Sequence, residues 1–268
     1  MIYQKVLLKL FSSRMLGRYG QRVLQRRVWT IEGGEGARLK IRFPQNSAYI
    51  FGSSERPVQE ALTQQLHPGD VFYDVGANVG FFSLIAAKRV GSAGCVYSFE
   101  PVAENVESIR DNAKINQLEN IRSFEVAVGR ISGNEELLLT EWDGGATLST
   151  SVVKPSEPTS RRNVRVVALD EFIQEERLRI PTIVKIDVEG LEFDVIQGMA
   201  RTISKSKPVL LFEIDDGNLD SFCRRWQELD QLITSFGYRI LHLEESYPGM
   251  KWNVGHSLAL PFESPEIL

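Results

Sequence analysis

The thirteen residues from Val71 to Ser83 limit the possible folds of this chain more than any other segment. They read VFYDVGANVGFFS, so an apolar segment of strand length, an acidic turn with two glycines and an apolar helix start follow without a gap. Gly76 and Gly80 lack a Cβ, so they can adopt positive φ and let a ligand approach the backbone. The following helix presents unpaired N–H groups in its first turn. This strand-turn-helix pattern predicts the nucleoside-binding turn of an α/β enzyme.

The next apolar segment, CVYSF, supplies a partner for this turn. It ends in Glu100, where a carboxylate can accept hydrogen bonds from two ribose hydroxyls. A dinucleotide fits poorly, because the turn has G-x-N-x-G where G-x-G-x-x-G would contact a pyrophosphate. Asp74 would repel a phosphate but attract an amine. S-adenosylmethionine has an amine, a ribose and a sulfonium, so we expect it at Asp74, Gly76, Asn78, Gly80 and Glu100.

Acidic residues also follow two later apolar segments. Asp187 and Glu189 follow the segment IVKI at 183–186, and Glu213 follows the segment PVLLF at 208–212. Because the carboxyl ends of parallel strands form the ligand crevice of an open sheet, we expect these acids at the same mouth as Asp74 and Glu100. One such acid would be explained by favourable charge at a helix N-terminus. Acids at the ends of four predicted strands are better explained by a ligand-binding site.

Three motifs in this order resemble the FkbM family of S-adenosylmethionine-dependent methyltransferases: DVGANVG at 74–80, FEP at 99–101 and KIDVEGLE at 185–192. The resemblance covers about residues 51–238. It implies an α/β, Rossmann-like, seven-stranded class I methyltransferase fold, with a mainly parallel sheet, helices on both faces and an antiparallel last strand. It also implies methyl transfer to an oxygen, typically a hydroxyl on a sugar or secondary metabolite.

The resemblance also carries residue roles. Asp74, Gly76, Asn78 and Gly80 match the family's cofactor loop and Glu100 its ribose ligand. Asp187 and Glu189 match its signature after the fourth strand, and Leu169-Asp170 resembles a structural position before that strand.

For the chemistry, an alcohol is a poor nucleophile while protonated, so a nearby carboxylate should accept its proton. We expect this catalytic base to be Asp187 or Glu189, with Glu213 third. The less favoured alternative is a divalent metal held by Asp187, Glu189 or Glu213, because hard cations prefer oxygen ligands. His256 is a further alternative base, although the three histidines show no ligand spacing.

Other functions remain open. A non-catalytic S-adenosylmethionine-binding or scaffold protein is one alternative, and a nicotinamide-dependent oxidoreductase is a less favoured one. A methyltransferase acting on the amines of nucleic-acid bases usually carries N-P-P-aromatic after the fourth strand, where this chain has DVEG. The acceptor is therefore expected to be a small-molecule or glycan hydroxyl. Trp142 and the loop 144–149 are expected to line its entrance.

Charge is distributed unevenly along the chain. Residues 1–31 contain seven Lys and Arg and no acid, whereas the whole chain of 268 residues has a net charge of −4. We expect residues 1–50 to form a basic N-terminal helical arm and a small β element, and residues 51–268 to form the methyltransferase domain. The acidic body argues against a general nucleic-acid binder. The arm is expected to pack on its own domain or a partner subunit, with weak membrane-surface contact as the alternative.

The remaining features favour a cytoplasmic protein. The two cysteines form no ligand spacing and suit a reducing compartment, and no segment reads as a membrane span or a signal peptide. The oligomeric state is not readable from the sequence. Apolar patterns predict strands at 71–75, 94–99, 122–128, 135–140, 163–168, 182–187, 208–214, 237–243 and 256–260. They predict helices at 55–65, 80–90, 102–116, 189–203 and 219–236, and a long loop at 141–162.

Overall fold

The computed structural model describes residues 27–42, 47–139, 146–152, 158–247 and 249–262. Within these ranges thirteen strands follow in chain order: β1 Val28–Thr30, β2 Lys40–Arg42, β3 Val71–Val75, β4 Cys95–Glu100, β5 Ile121–Glu125, β6 Ala127–Val128, β7 Gly133–Leu139, β8 Ala146–Leu148, β9 Ser160–Val167, β10 Ile183–Ile186, β11 Val209–Asp216, β12 Tyr238–His242 and β13 Asn253–Pro261. The helices described are α1 Ser47–Phe51, α2 Arg56–Gln65, α3 Phe81–Val90, α4 Ala103–Ile115, α5 Leu169–Glu175, α6 Glu192–Gly198, α7 Ala200–Ser206 and α8 Leu219–Ser235.

The main sheet has seven strands in the order β5-β4-β3-β10-β11-β13-β12. Its pairs from β5 to β11 are parallel, and β13 runs antiparallel to both of its neighbours, β11 and β12. The expected seven-stranded sheet with an antiparallel last strand is therefore confirmed. The strand order reverses direction beside β3, and the crevice at such a switch point is where open α/β sheets bind ligands.

Helices cover both faces of this sheet, as expected. Alternate strand residues point to opposite faces. Tyr73 and Val75 of β3 pack in a core cluster with residues of α5, α6, α7 and α8. Phe72, the neighbour of Tyr73 on β3, packs in a second cluster with α2 and α3. Each face is apolar enough to bury, so a strand such as IVKI is buried at all four residues.

Four strands form a separate accessory sheet, in the order β6-β9-β7-β8, which the sequence did not predict. β7 pairs antiparallel with both β8 and β9. The runs at 135–140 and 163–168 therefore form an insertion between β5 and β10. The predicted loop at 141–162 is also partly wrong, because β8 lies inside it and β9 begins at Ser160. An alternating pattern predicts a strand but not which strand it pairs with.

The predicted helix at 189–203 is two helices, α6 and α7, separated by Met199, whose φ of −121° leaves the helical region. The apolar spacing of Val195, Ile196, Met199 and Ile203 continues across the break, and all four side chains are buried. The periodicity of the apolar residues therefore could not reveal the break between α6 and α7. α5 begins at Leu169, so the Leu169-Asp170 pair stands at a helix start.

The described residues before residue 50 form a two-stranded hairpin, β1 with β2, and the short helix α1. Trp29, Ile31, Ile41 and Ile50 are buried in the same core cluster as α2 and α3. The small β element is therefore present and packs on the main sheet. The basic arm up to residue 26 lies outside the described residues, and the division of the chain at residue 50 stays a prediction. No helix in the described ranges is long and apolar enough to cross a membrane.

Candidate active site at the carboxyl edge of the sheet

The turn after β3 requires its glycines. Gly76 has a φ of 80°, and a Cβ there would lie 1.8 Å from the carbonyl oxygen of Asp187. Any side chain at position 76 would therefore separate the turn from the segment after β10. Asn78 has a φ of 50° and Gly80 a φ of 86°, so the turn passes repeatedly through left-handed conformations. The protein's own packing therefore requires Gly76, and the approach of a ligand to this backbone stays a prediction.

Glu100 lies at the end of β4 and is 5% exposed. Its Oε2 accepts from the backbone N–H of Asn78 at 2.8 Å, and its Oε1 accepts from the N–H of Val102 at 2.9 Å. Burial raises the pKa of Glu100 to about 7, although these hydrogen bonds favour its ionised form. The side-chain amide of Asn105 also donates to Oε1 at 3.3 Å. A carboxylate has about four lone-pair positions, so the remaining acceptor capacity for a ribose hydroxyl lies on Oε2. Glu100 thus joins the turn to the next strand.

Asp74 is buried beneath the turn, at 1% exposure. The hydroxyl of Ser83, in the first turn of α3, donates to Oδ2 of Asp74 at 2.5 Å. Its Oδ1 is buried and has no hydrogen-bond partner among the described residues, and the same is true of Oδ1 of Asn78. Burial raises the pKa of Asp74, and the charge of Lys185 opposes this. Unpaired buried acceptors fit a ligand that brings donors such as the amine of S-adenosylmethionine.

Lys185 and Asp187 form a buried ion pair at the end of β10. The Lys185 ammonium donates to Oδ2 of Asp187 at 2.7 Å, and the two side chains are 4% and 26% exposed. The ammonium also lies 4.6 Å from the ring centroid of Phe82. Burial alone would lower the pKa of Lys185, but the carboxylates of Asp187, Glu55 and Asp74 hold it above its usual value. Lys185 therefore carries a charge that fixes Asp187.

Glu189 lies in a left-handed turn with a φ of 54°. Its carbonyl oxygen accepts from the hydroxyls of Thr147 at 2.9 Å and Ser151 at 2.8 Å, which ties the accessory sheet to the site. Burial, then the charges of Asp215 and other acids, raises the pKa of Glu189 to about 9. Its carboxyl is therefore protonated at neutral pH in the ligand-free protein. Trp142, Gly144 and Gly145 of the predicted entrance lie outside the described residues.

Glu192, the last acid of the third motif, has a structural position. Its Oε2 accepts from Arg225 of α8 at 2.8 Å, and its Oε1 accepts from the N–H of Gly190 at 2.8 Å. Arg225 also donates to the carbonyl oxygen of Asp215 at 2.8 Å. The buried Glu192–Arg225 pair therefore holds the 187–192 turn against β11 and α8.

Glu213 lies beside His256, the alternative base expected from the sequence, and beside Glu55, which sequence patterns did not assign to the site. Nε2 of His256 lies 2.6 Å from Oε2 of Glu213 and 3.7 Å from Oε2 of Glu55. Glu213 and His256 are paired across β11 and β13, so both side chains point to the face covered by α2. Burial, then the charge of Asp187, raises the pKa of Glu213 to about 8, and its bond to His256 opposes this.

Glu55 was missed because the apolar pattern identified it only as the first residue of the predicted helix at 55–65. It stands before α2 with a φ of 46° and caps no backbone N–H with its side chain. His256 was considered only as a base, because its partners are remote in sequence. The structure therefore brings all the predicted site acids to one edge of the sheet and adds Glu55, His256 and Lys185 to them.

The strand order, the glycine turn after β3 and the acid at the end of β4 together define the Rossmann-like fold of class I methyltransferases. The family model described as the methyltransferase FkbM domain matches residues 74–240. The chain therefore belongs to the FkbM methyltransferase family.

Individual relatives are distant. The hexuronic acid methyltransferase AglP of Haloferax volcanii is 23% identical over 163 residues, which cover 61% of this chain and 63% of that protein. The 2-O-methyltransferase NoeI of Sinorhizobium fredii is 27% identical over 157 residues, which cover 52% of this chain and 61% of that protein. A crystal structure of an FkbM methyltransferase from Methylobacillus flagellatus aligns with a TM-score of 0.49 and 16% identity, over 76% of this chain and 53% of that one. The chain thus spans less than two thirds of these curated relatives.

Proposed function

We propose that this protein is an S-adenosylmethionine-dependent methyltransferase that methylates a hydroxyl of a sugar or secondary metabolite. The observation that carries the proposal is the meeting of two acidic groups at one sheet edge: Asp74 and Glu100 around the glycine turn, and Asp187 with Glu189 beyond it. Gly76 brings the two together, since its Cα lies against the carbonyl of Asp187. Bound S-adenosylmethionine supplies the methyl group from its sulfonium.

Each half of the site has its own task. The glycine turn, with the carboxylates of Asp74 and Glu100, would hold the amine and ribose of the cofactor. Asp187 would accept the proton of the acceptor hydroxyl, because it is the more exposed partner of the buried Lys185 pair and lies beside the turn. Lys185 fixes its orientation. Positioning of this kind and general-base help are both effective in an in-line displacement.

The other two predicted acids take different parts. Glu189, protonated at neutral pH, suits a hydrogen-bond donor to the acceptor better than a base. Glu213 ranks after Asp187, because its side chain is less accessible to an acceptor, at 18% exposure against 26%. This order revises the expectation that treated Asp187 and Glu189 as equal candidates.

The names of the relatives support oxygen as the methyl acceptor. One relative is named for hexuronic acid and another for 2-O-methylation. A uronic acid offers both hydroxyl and carboxylate oxygens, and methylation gives an ether at the first and an ester at the second. Our proposal is the ether.

A screen with methyl-labelled S-adenosylmethionine tests the proposal. The purified full chain would be offered sugars and uronic acids beside amino sugars of the same ring, and labelled products would be treated with alkali. We expect alkali-stable label in the hydroxyl acceptors. Label released as methanol would indicate a carboxylate ester, and label confined to amino sugars would indicate N-methylation. Either result would contradict the proposed hydroxyl acceptor.

The labelling screen, together with a thermal-shift assay, separates the two alternative functions. Cofactor binding without transfer to any acceptor supports the non-catalytic alternative, whereas a thermal shift with nicotinamide dinucleotides alone supports the oxidoreductase. A ligand at a hundred times its dissociation constant stabilises a fold by about 2.7 kcal/mol, so the shift is measurable.

A further inference from the structure

Three side chains from separate parts of the chain converge beside the proposed acceptor site. They are Glu55 before α2, Glu213 on β11 and His256 on β13. One carboxylate oxygen from each glutamate and one ring nitrogen of the histidine lie within 4.8 Å of one another. This separation is close to that of ligands around a single metal ion, because first-row divalent cations bind nitrogen and oxygen at about 2.0–2.2 Å.

An unsatisfied atom points to the same place. The side chain of Glu55 is 8% exposed, and its Oε2 is buried without a hydrogen-bond partner in the part of the chain that the structure describes. A buried carboxylate oxygen without a donor is costly unless a cation or a donor faces it. The nearest positive centre is Nε2 of His256, at 3.7 Å. A bound cation would satisfy Glu55 where the imidazole does not reach it.

A second layer of contacts orients the ligand atoms. The hydroxyl of Tyr247 donates to Oε1 of Glu55 at 3.0 Å, which leaves Oε2 toward the cluster. The hydroxyl of Ser246 lies 3.2 Å from Nδ1 of His256, so the other ring nitrogen, Nε2, faces the two glutamates. Histidine ligands usually make such a bond with their second nitrogen, which fixes the tautomer and the ring orientation.

We propose that Glu55, Glu213 and His256 bind one divalent cation of the first transition series, such as Mn²⁺ or Zn²⁺. One imidazole and two carboxylates suit these ions, since imidazole is a poor ligand for Mg²⁺ and Ca²⁺. Three protein ligands leave coordination positions open for an acceptor oxygen. The site differs from the metal alternative predicted from sequence, because it contains Glu213 but neither Asp187 nor Glu189.

The role of this cation rests on the proposed function. A cation at Glu213 would lower the pKa of an acceptor hydroxyl bound to it, and Asp187 would then receive the proton. The oxygen attacks the methyl carbon, the carbon–sulfur bond breaks with its electron pair going to sulfur, and the proton goes to Asp187. No oxidant or reductant is needed, so the cation acts only as a Lewis acid.

Mn²⁺ binding to the metal-free full chain tests the site without any acceptor. Electron paramagnetic resonance of free Mn²⁺ should show about one ion bound per chain. We expect Glu55→Gln and His256→Ala each to weaken binding at least about tenfold, a loss in the range seen when metal-site residues are removed. The exposed Glu244→Gln and His67→Ala serve as matched controls and should bind Mn²⁺ as the wild type does. Zn²⁺ should compete with Mn²⁺ for the wild-type site.

Folding of each variant is checked by its affinity for S-adenosylhomocysteine, because the cofactor turn shares no side chain with the cluster. Should His256→Ala fail to fold, Tyr247→Phe, which removes only the bond to Glu55, should still weaken Mn²⁺ binding. Wild-type protein that binds no Mn²⁺ or Zn²⁺ at millimolar concentration would overturn the site, as would equal binding by folded Glu55→Gln. The histidine would then be an imidazolium that neutralises two glutamates. Metal binding without methyl transfer would overturn the proposed function and leave the site standing.

Discussion

The two halves of the candidate site are built in different ways. The cofactor half, residues 74–80 with Glu100, comes from two adjacent strands and one turn. The acceptor half comprises Lys185, Asp187, Glu189, Glu213, His256 and Glu55, which reach one edge from strands and a helix start far apart in the chain. The first half depends on backbone shape, since Gly76 and Asn78 adopt positive φ. The second depends on charge, since its acids pair with Lys185 and His256 within the described part of the chain.

Because of this difference, substitutions in the two halves should have different effects. A change in the cofactor half should cost binding, because its contacts are made to the ground state of the ligand. A change at Asp187 should cost turnover, because its help appears only as the proton moves.

Asp187→Asn should reduce turnover by about 10²–10⁴-fold, the usual worth of general-base help, and should leave cofactor affinity close to that of the wild type. Single-turnover kinetics with the labelled cofactor and calorimetry with S-adenosylhomocysteine measure the two effects. Asp220→Asn, on an exposed position of α8, is the control. Equal losses in binding and turnover would place Asp187 in the cofactor half.

Glu100→Ala should weaken cofactor binding by about 1.5–3 kcal/mol, the range for a hydrogen bond to a charged group. Glu100→Gln should lose less, because an amide oxygen can still accept from one of the two backbone N–H groups. Calorimetry with S-adenosylmethionine measures this, and the exposed Glu107→Ala should behave as the wild type. Wild-type affinity in a folded Glu100→Ala variant would remove Glu100 from the site.

Stability of the ligand-free protein should fall as pH rises from 6 to 9. Burial raises the pKa of Glu189 to about 9 and those of Glu100 and Glu192 to about 7, all above the 4.5 of a free glutamate. The folded state therefore binds more protons than the unfolded chain in this range, so raising the pH favours unfolding. Thermal unfolding at several pH values follows this trend.

The variant Glu189→Gln tests how much Glu189 contributes to this pH dependence of stability. It removes the group with the highest of these glutamate pKa values and should reduce the loss of stability between pH 7 and 9. Glu244→Gln, on an exposed residue, should keep the wild-type slope. A melting temperature that rises with pH in the wild type would show that the site acids are ionised in the ligand-free protein.

Removal of residues 1–26 should change least. Every proposed ligand of the cofactor lies beyond them, and the hairpin that packs on the core begins at Val28. A variant beginning at Arg27 should keep its affinity for S-adenosylhomocysteine while losing any salt-sensitive association with anionic liposomes. Lost cofactor binding would mean that the arm contributes to the pocket.

The sequence by itself determined the cofactor half and the main sheet. Positive φ at a glycine turn is a local steric requirement, and burial of a strand on both faces leaves a continuous apolar run such as VLLF at 209–212, so both are readable from neighbouring residues. The accessory sheet was not readable, because the side-chain pattern of β7 or β9 does not identify the strand with which it pairs.

The assembly of the acceptor half and the charges of its acids depend on the tertiary structure. Glu55 meets His256 because α2 packs over the face on which β11 and β13 present their side chains, and no short-range pattern encodes that crossing. The same packing sets the charge of each acid. Asp187 has an ammonium within hydrogen-bond distance, whereas Glu189, two residues away, faces other acids and holds a proton at neutral pH. A residue's type gives its ordinary pKa, but its burial and the charges around it come from the fold.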